Sequence, residues 1–296
     1  MKKKILTTIK KYWKSLESKY PVPTYVTKVK EIEFKTLKDI LDHKKEYKIK
    51  QLIRDMYIKK YAFILRNASN SSLKDTIIKL SSEYDKKKPS FHKMYDGTPN
   101  FHRFIDKKIT KKYSVYAIKH SYFFYNWNIK TPFEKKFKDE VYRHWRYVKL
   151  IAGNSKKEFE NNIPSMSQVD RLQIIKYPLG GGELRDHVDP RKNQRIVSGL
   201  IMSKKGEDFN SGGFYFRGRN KQKVNIENKL KIGDSVMFYG SIVHGVDKVD
   251  PNKKLNWKSK KARWFIGMFV NDSDHVKDRL TAKDLTKSVS AVSYTH

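Results

Sequence analysis

The second half of the chain is divided into short segments of apolar, β-branched and aromatic residues, each bounded by Gly, Asn, Asp or Pro. Segments of this length and composition predict strands rather than helices. Six strands are predicted, at residues 171–177, 196–202, 213–216, 223–227, 235–239 and 263–270. A series of short strands with turn signals between them is typical of a double-sheet jelly roll. This pattern therefore favours a β-rich core for the second half.

Two histidines and one aspartate occur in this β-rich half in a pattern suited to a metal ion. His187 and Asp189 are two residues apart, so both side chains point to the same side of a strand. His244 follows the strand-like segment at 235–239 and provides a third ligand. Two imidazoles and one carboxylate on one face of an ion, with open positions opposite, are typical of non-heme Fe(II) oxygenases. The chain has no Cys, which excludes disulfides and thiolate metal sites.

A longer pattern surrounds these three residues. It comprises Tyr177, the pair Gly180 and Gly181, Gly212 and Gly213 before an aromatic strand, Gly233 and Asp234, then His244, Gly245 and Val246, and lastly Arg263. The region from about residue 172 to 270 resembles the catalytic core of the Fe(II)/2-oxoglutarate-dependent dioxygenases, most closely the prolyl 4-hydroxylase-like group. The resemblance implies an α+β fold with a mainly β core, namely a double-stranded β-helix of the jelly-roll or cupin-like kind, with N-terminal helices packed outside it.

The resemblance also implies roles for individual residues. His187, Asp189 and His244 would hold Fe(II), while Arg263 and Tyr177 would hold the far carboxylate of 2-oxoglutarate. O2 would be the second cosubstrate, and ascorbate a stimulant. Arg binds a carboxylate bidentately, which Lys cannot do. Residues 250–261 are longer than the pattern requires and indicate an inserted loop, so Lys260 or Lys261 is an alternative to Arg263.

We therefore expect an enzyme that hydroxylates an unactivated C–H bond while converting 2-oxoglutarate and O2 to succinate and CO2. Its substrate is expected to be an amino acid, a small amino-acid derivative or a peptidyl residue. The carboxylate of Asp189 is compatible with desaturation or cyclisation as well, and disfavours halogenation. A nucleic-acid-modifying hydroxylase or demethylase and a non-catalytic binding protein with the same fold are the alternatives.

The charge of the chain bears on the nucleic-acid alternative. The formal net charge is +34, and most of the excess falls in the first half. Such an excess fits an electrostatic surface for nucleic acid. It equally fits a composition that is rich in Lys throughout, and the sequence contains no recognised nucleic-acid-binding motif.

The first half has a different periodicity. Apolar residues recur at helical spacing over residues 1–20, over 36–66 with an interruption left open near Lys50, and over 73–84. A helix over 132–151 is predicted with Thr131 as its N-cap and Pro132 at its first position. We expect a Lys-rich, mostly helical region at 1–115, the dioxygenase domain with its supporting helix at 116–272, and a polar tail at 273–296 with a short helix and a loose end. No apolar run is long enough to span a membrane, and we expect a cytoplasmic protein. The oligomeric state is not indicated.

Overall fold

A computed structural model describes residues 2–286 of the chain. Five α-helices are present in this range: α1 (Lys2–Lys19), α2 (Phe34–Asp42), α3 (Glu46–Tyr57), α4 (Leu73–Asp85) and α5 (Pro132–Ile151). Thirteen strands accompany them: β1 (Lys28–Glu33), β2 (Tyr61–Arg66), β3 (Phe101–Ile105), β4 (Ala117–Tyr125), β5 (Gln168–Pro178), β6 (Gly182–Val188), β7 (Ile196–Ile201), β8 (Gly213–Arg217), β9 (Lys223–Asn225), β10 (Ser235–Tyr239), β11 (His244–Val249), β12 (Ala262–Asp272) and β13 (Lys283–Asp284).

The strands from β5 to β12 wind back and forth between two sheets. The larger sheet has the order β1-β2-β10-β7-β12-β5-β4, and the smaller sheet has the order β6-β11-β8-β9. β4 pairs with β6 through its first residues and with β5 through the rest, which joins the two sheets along one side. Each of the eight strands thus follows the winding order of a double-stranded β-helix, and the predicted fold is confirmed.

The two sheets face each other over an apolar interior. The ring of Phe238 on the larger sheet lies 5.0 Å from that of Phe216 on the smaller sheet, measured between centroids. Gly199 and Gly267 stand opposite each other in the larger sheet, and the Phe265 and Phe269 rings occupy the space that side chains there would fill. The interior therefore owes its shape to glycines as well as to large aromatic residues.

The helices lie outside the sheets, as expected. α5 begins with a capping box, in which Thr131 accepts from the Glu134 amide while Glu134 accepts from the Thr131 amide, satisfying two donors that the helix leaves free. On its buried side the Lys149 ammonium lies 2.7 Å from the Asp170 carboxylate of β5. This ion pair fixes the helix against the outer face of the larger sheet.

The prediction of helix across residues 36–66 is wrong at its C-terminal end. Residues 61–66 form β2, which pairs in parallel with β1 and antiparallel with β10. Lys60 has a φ of 59°, and this left-handed conformation ends the helical course. Strand pairing within the larger sheet stabilises this segment more than the helix that the spacing of Tyr57 and Tyr61 indicated would. The strand β1 was not predicted either.

The predicted tail helix is also absent from the described part of the tail. Residues 273–286 contain no helix; instead β13 pairs with the end of β6, Asp284 opposite His187. Residues 287–296 of that prediction lie outside the described residues. The division into regions 1–115, 116–272 and 273–296 stays a prediction. Among residues 2–286, no helix has the length and apolar character needed to cross a membrane.

Candidate metal centre

The three predicted metal ligands come together between the two sheets. His187 lies at the end of β6 and His244 at the start of β11, and the antiparallel register sets them directly opposite each other. Their ring centroids are 4.1 Å apart, and the Nε2 of His244 is 3.4 Å from an Asp189 carboxylate oxygen. One ligand atom from each residue lies within 4.8 Å of the other two. Residues separated by more than 50 positions in the sequence thus share one site.

The hydrogen bonds of both histidines leave the same nitrogen free. Nδ1 of His187 is 2.9 Å from the Arg185 carbonyl oxygen, and Nδ1 of His244 is 3.0 Å from that of Ile242. A carbonyl oxygen can only accept, so each Nδ1 carries a proton, and in the neutral imidazole each Nε2 then carries a lone pair. Metal-binding histidines are commonly oriented through such a bond on the far nitrogen. Both free lone pairs are therefore available to an ion.

Burial shifts the pKa values of His244 and Asp189. Loss of solvation lowers the pKa of His244 well below its usual value, and the His187 imidazole beside it acts in the same direction. Burial raises the pKa of Asp189, which the neighbouring His187 and Lys119 partly offset. Neutral imidazole is the form that binds a metal ion. The donor set of two imidazoles and one carboxylate suits Fe(II).

Arg263, the predicted partner of the cosubstrate, lies inside the barrel on β12 of the larger sheet. The two histidines lie on β6 and β11 of the smaller sheet. Arg263 is 1% exposed and stands opposite Tyr177 in the β12–β5 register. Its Nε donates to the Glu227 carboxylate at 2.9 Å, while its Nη2 is buried without an acceptor. A buried donor without a partner is costly, and a carboxylate of a bound ligand would satisfy it. The exposed Lys260 and Lys261, the alternatives to Arg263, do not reach the interior.

Glu227 was not predicted as a site residue. It follows β9 in a 3-10 turn and also accepts from the Phe214 amide at 2.5 Å. Gly213 has a φ of 114°, and a Cβ there would lie 2.4 Å from Glu227 Cγ, so the glycine makes room for the carboxylate. The Gly-Gly pair before an aromatic strand was the signal in the sequence that this turn is crowded.

Tyr177 packs beside Arg263, with its ring centre 5.6 Å from the guanidinium carbon. Burial raises the pKa of Tyr177 above its usual value, so the hydroxyl keeps its proton at neutral pH. Tyr177 is 2% exposed. The structure therefore brings all five predicted site residues into one interior, the three ligands at one level and the Tyr177–Arg263 pair at another.

A second group of the same residue types lies on the outer face of the larger sheet. Asp85, His102 and His120 have ligand-type atoms within 4.8 Å of one another. The two rings are joined by a hydrogen bond of 2.8 Å from one nitrogen to the other. The sequence analysis did not identify this group, because its members come from α4, β3 and β4 without a common motif.

Comparisons with known proteins find similar solved structures. No protein-family model matches the sequence, and no curated protein is similar to it. A Pseudomonas putida prolyl-4-hydroxylase is 10% identical, with 71% of this chain and 91% of that chain covered at a TM-score of 0.44. Neurospora crassa T7H in complex with alpha-KG and thymine is 14% identical, with 83% and 86% covered at 0.46.

A further solved structure is a prolyl hydroxylase from Trichoplax adhaerens in complex with a hypoxia inducible factor peptide fragment. It is 11% identical, with 81% of this chain and 93% of that chain covered at a TM-score of 0.44. A putative 2OG-Fe(II) oxygenase family protein from Caulobacter crescentus is also similar. The similar structures come from the superfamily that the sequence resembles, and the likeness to this chain concerns the fold.

Proposed function

We propose that this protein is an Fe(II)/2-oxoglutarate-dependent dioxygenase that hydroxylates an unactivated C–H bond of an amino acid, a small amino-acid derivative or a peptidyl residue. The observation that carries the proposal is the convergence of His187, Asp189 and His244, whose ligand-type atoms lie within 4.8 Å of one another while each Nδ1 donates to a backbone carbonyl. His187, Asp189 and His244 would hold the ion. With 2-oxoglutarate and O2, Fe(II) supplies the oxidising chemistry of hydroxylation, with succinate and CO2 as products.

The protein's own residues would position the cosubstrate and enclose the ion. Arg263 would bind the far carboxylate of 2-oxoglutarate through its free Nη2, and Glu227 holds the guanidinium in place through Nε. The Tyr177 hydroxyl, kept protonated by burial, would donate to the same carboxylate. Charge-assisted hydrogen bonds in a buried site are strong and directional. Aromatic residues, including Phe214 and Phe238 beside His244, exclude water around the ion.

The test is succinate formation from 2-oxoglutarate by protein loaded with Fe(II), with ascorbate present, across a panel of amino acids, peptides and short oligonucleotides. We expect slow turnover without substrate and faster turnover with an amino-acid or peptide member. His187→Ala should abolish both, whereas His43→Ala, at an exposed position, should leave them unchanged. Fe(II)-loaded wild-type protein that forms no succinate would contradict the proposal, and stimulation by oligonucleotides alone would replace its substrate class.

A further inference from the structure

Two cationic side chains face the barrel interior and are not used by the site described so far. Side chains of a strand alternate between its two faces, so Arg171 shares a face of β5 with Tyr177, six residues on. In β4, Lys119 shares a face with Tyr125, and Tyr125 stands opposite Arg171. Lys119 and Arg171 therefore lie on the same interior face as Tyr177 and Arg263.

Arg171 is held in place by aromatic rings rather than by an acid. Its guanidinium carbon is 5.3 Å from the centre of the Phe123 ring and 5.5 Å from that of Phe269. Its Nε is buried and has no hydrogen-bond acceptor. The rings fix the orientation of the guanidinium, yet they leave this donor free for a ligand.

Neither cation is neutralised. None of the ion pairs found among residues 2–286 involves Lys119 or Arg171. Burial lowers the pKa of Lys119 to about 8, and the positive charge of Arg171 adds to this effect, while Asp189 opposes it. Burial also lowers the pKa of Arg171. A partly buried cation without a counter-charge is unfavourable unless an anion joins it.

The strand registers place Arg171 at the metal end of the barrel. The Asp189 amide donates to the Gly240 carbonyl at 2.9 Å, immediately after the end of β10. Across the larger sheet, Phe238 pairs with Val197, Met268 with Ser198 and Phe269 with Arg171, so this row lies two residues from the one that Asp189 meets. The Tyr177–Arg263 row is six residues away, roughly 20 Å along the strand. Arg171 is thus near the Asp189 end of the barrel and far from Arg263 along β5, whereas Lys119, next to the His120–Lys176 pair, lies at the level of Tyr177.

We propose that Arg171 binds an anionic group of the substrate, a carboxylate or a phosphate, while the phenyl rings beside Arg171 receive its apolar part. This inference rests on the proposed function and narrows it. A free amino acid or another small acid carries such a group, whereas within a peptide chain only acidic or phosphorylated residues and the C-terminus do. The substrate class is therefore an anionic molecule, and a free amino acid or another small acid fits it directly.

The experiment compares pairs of compounds that differ in one anionic group. Free amino acids are compared with their carboxamides, and nucleosides with their 5′-monophosphates, by stimulated succinate formation and by the melting temperature of metal-loaded protein. We expect one anionic series to stimulate turnover and raise the melting temperature, and its neutral counterpart to do neither. Which series responds distinguishes carboxylate from phosphate. Equal responses from neutral partners, or no response from any anionic compound, would overturn the inference.

A variant of Arg171 provides a second arm. Arg171→Gln should raise the KM for the responding anionic compound, by roughly 10- to 100-fold for loss of a charge-assisted hydrogen bond. Arg143→Gln, at an exposed position, is the matched control and should change nothing. An increase confined to the KM for the cosubstrate 2-oxoglutarate would assign Arg171 to the cosubstrate and overturn the inference. Absence of succinate formation by wild-type protein without substrate would instead count against the proposed function itself.

Discussion

The two groups of two histidines and one aspartate differ in whether their nitrogen lone pairs are available to an ion. We call the group inside the barrel open and the group on the outer face closed. In the group inside the barrel, each Nδ1 donates to a backbone carbonyl, so the neutral rings of His187 and His244 keep the Nε2 lone pair free. In the group on the outer face, the ring nitrogens of His102 and His120 are 2.8 Å apart and hydrogen-bonded. The nitrogen lone pairs of the interior group are therefore available to an ion, whereas those of the outer group are used in hydrogen bonds.

The positions of the protons explain the closed group. Nε2 of His102 donates to the Lys87 carbonyl oxygen at 2.9 Å, so its Nδ1 accepts from Nε2 of His120. The Tyr122 hydroxyl lies 2.8 Å from the Asp85 carboxylate and 3.0 Å from Nδ1 of His120. These contacts hold the rings together without an ion. Proximity of His and Asp is thus a weaker sign of a metal site than the direction of their free lone pairs.

Metal stoichiometry gives the largest expected contrast. We expect one Co(II), as a spectroscopic substitute for Fe(II), to bind per chain in wild-type protein and in His102→Gln, and none in His187→Gln. The reason is that His187 offers a free Nε2 while the His102 nitrogens are already bonded. Titration followed by visible absorption measures this. A second bound Co(II) that disappears in His102→Gln would break the comparison.

Cosubstrate binding is the next expected difference between the two groups. The open group shares the barrel interior with a cation, Arg263. Replacing Arg263 with Gln removes the unpartnered Nη2 and should raise the KM for the cosubstrate 2-oxoglutarate by roughly 10- to 100-fold. Lys260→Met is the control, because Lys260 is exposed. Initial rates of succinate formation measure both. A larger effect from Lys260→Met would show that the inserted loop supplies the cation.

The free energy of unfolding should depend more on the outer, closed group than on the interior, open group. His120 is fully buried, and its ring stacks on Phe104 at 4.0 Å between centroids. His120→Ala should lower the free energy of unfolding by about 2–3 kcal/mol, through a cavity and a lost hydrogen bond. In metal-free protein His187→Ala should cost about 1 kcal/mol or less, because its Nε2 has no partner to lose. Urea unfolding compares them, and the reverse order would contradict the closed character of the outer group.

Acid sensitivity is a further expected consequence of the buried outer group. Burial lowers the pKa of His120 to about 2, and the nearby His102 and Lys176 add to this. The unfolded chain then binds more protons than the folded one between about pH 2 and the usual His value near 6.5. The stability contributed is complete above about pH 6.5 and is lost as the pH falls through this window, by about 1.4 kcal/mol per pH unit.

The variant His120→Asn should therefore lose less stability than wild-type protein between pH 6 and pH 4, as measured by urea unfolding at each pH. His43→Ala, at an exposed position, should follow the wild-type curve. His144 remains in both proteins with its pKa lowered to about 3 by burial, so some acid sensitivity should persist. Parallel curves for His120→Asn and wild type would mean that His120 does not titrate on unfolding.

The sequence predicted those features that depend on local spacing. His187 and Asp189 share a strand face at a separation of two, and Thr131 caps α5 through residues three positions away. Glu227 and the outer histidine pair were missed because each acquires its partner only when strands distant in the sequence come together. The error at Tyr61–Arg66 has the same origin. Counting by twos along β5 from Tyr177 would have placed Arg171 inside the barrel.

The short strand β13 has a consequence for the solution behaviour of the protein. Where β4 leaves the side of β6, the backbone of the metal-bearing strand would present free donors and acceptors. β13 takes that place: Lys283 and Asp284 pair with Val188 and His187, and the Leu285 amide donates to the Asp186 carbonyl. An uncovered strand edge is a template for pairing with another molecule. Residues 283–285 of the same chain occupy this edge. They therefore protect the strand that carries His187 from edge-to-edge aggregation.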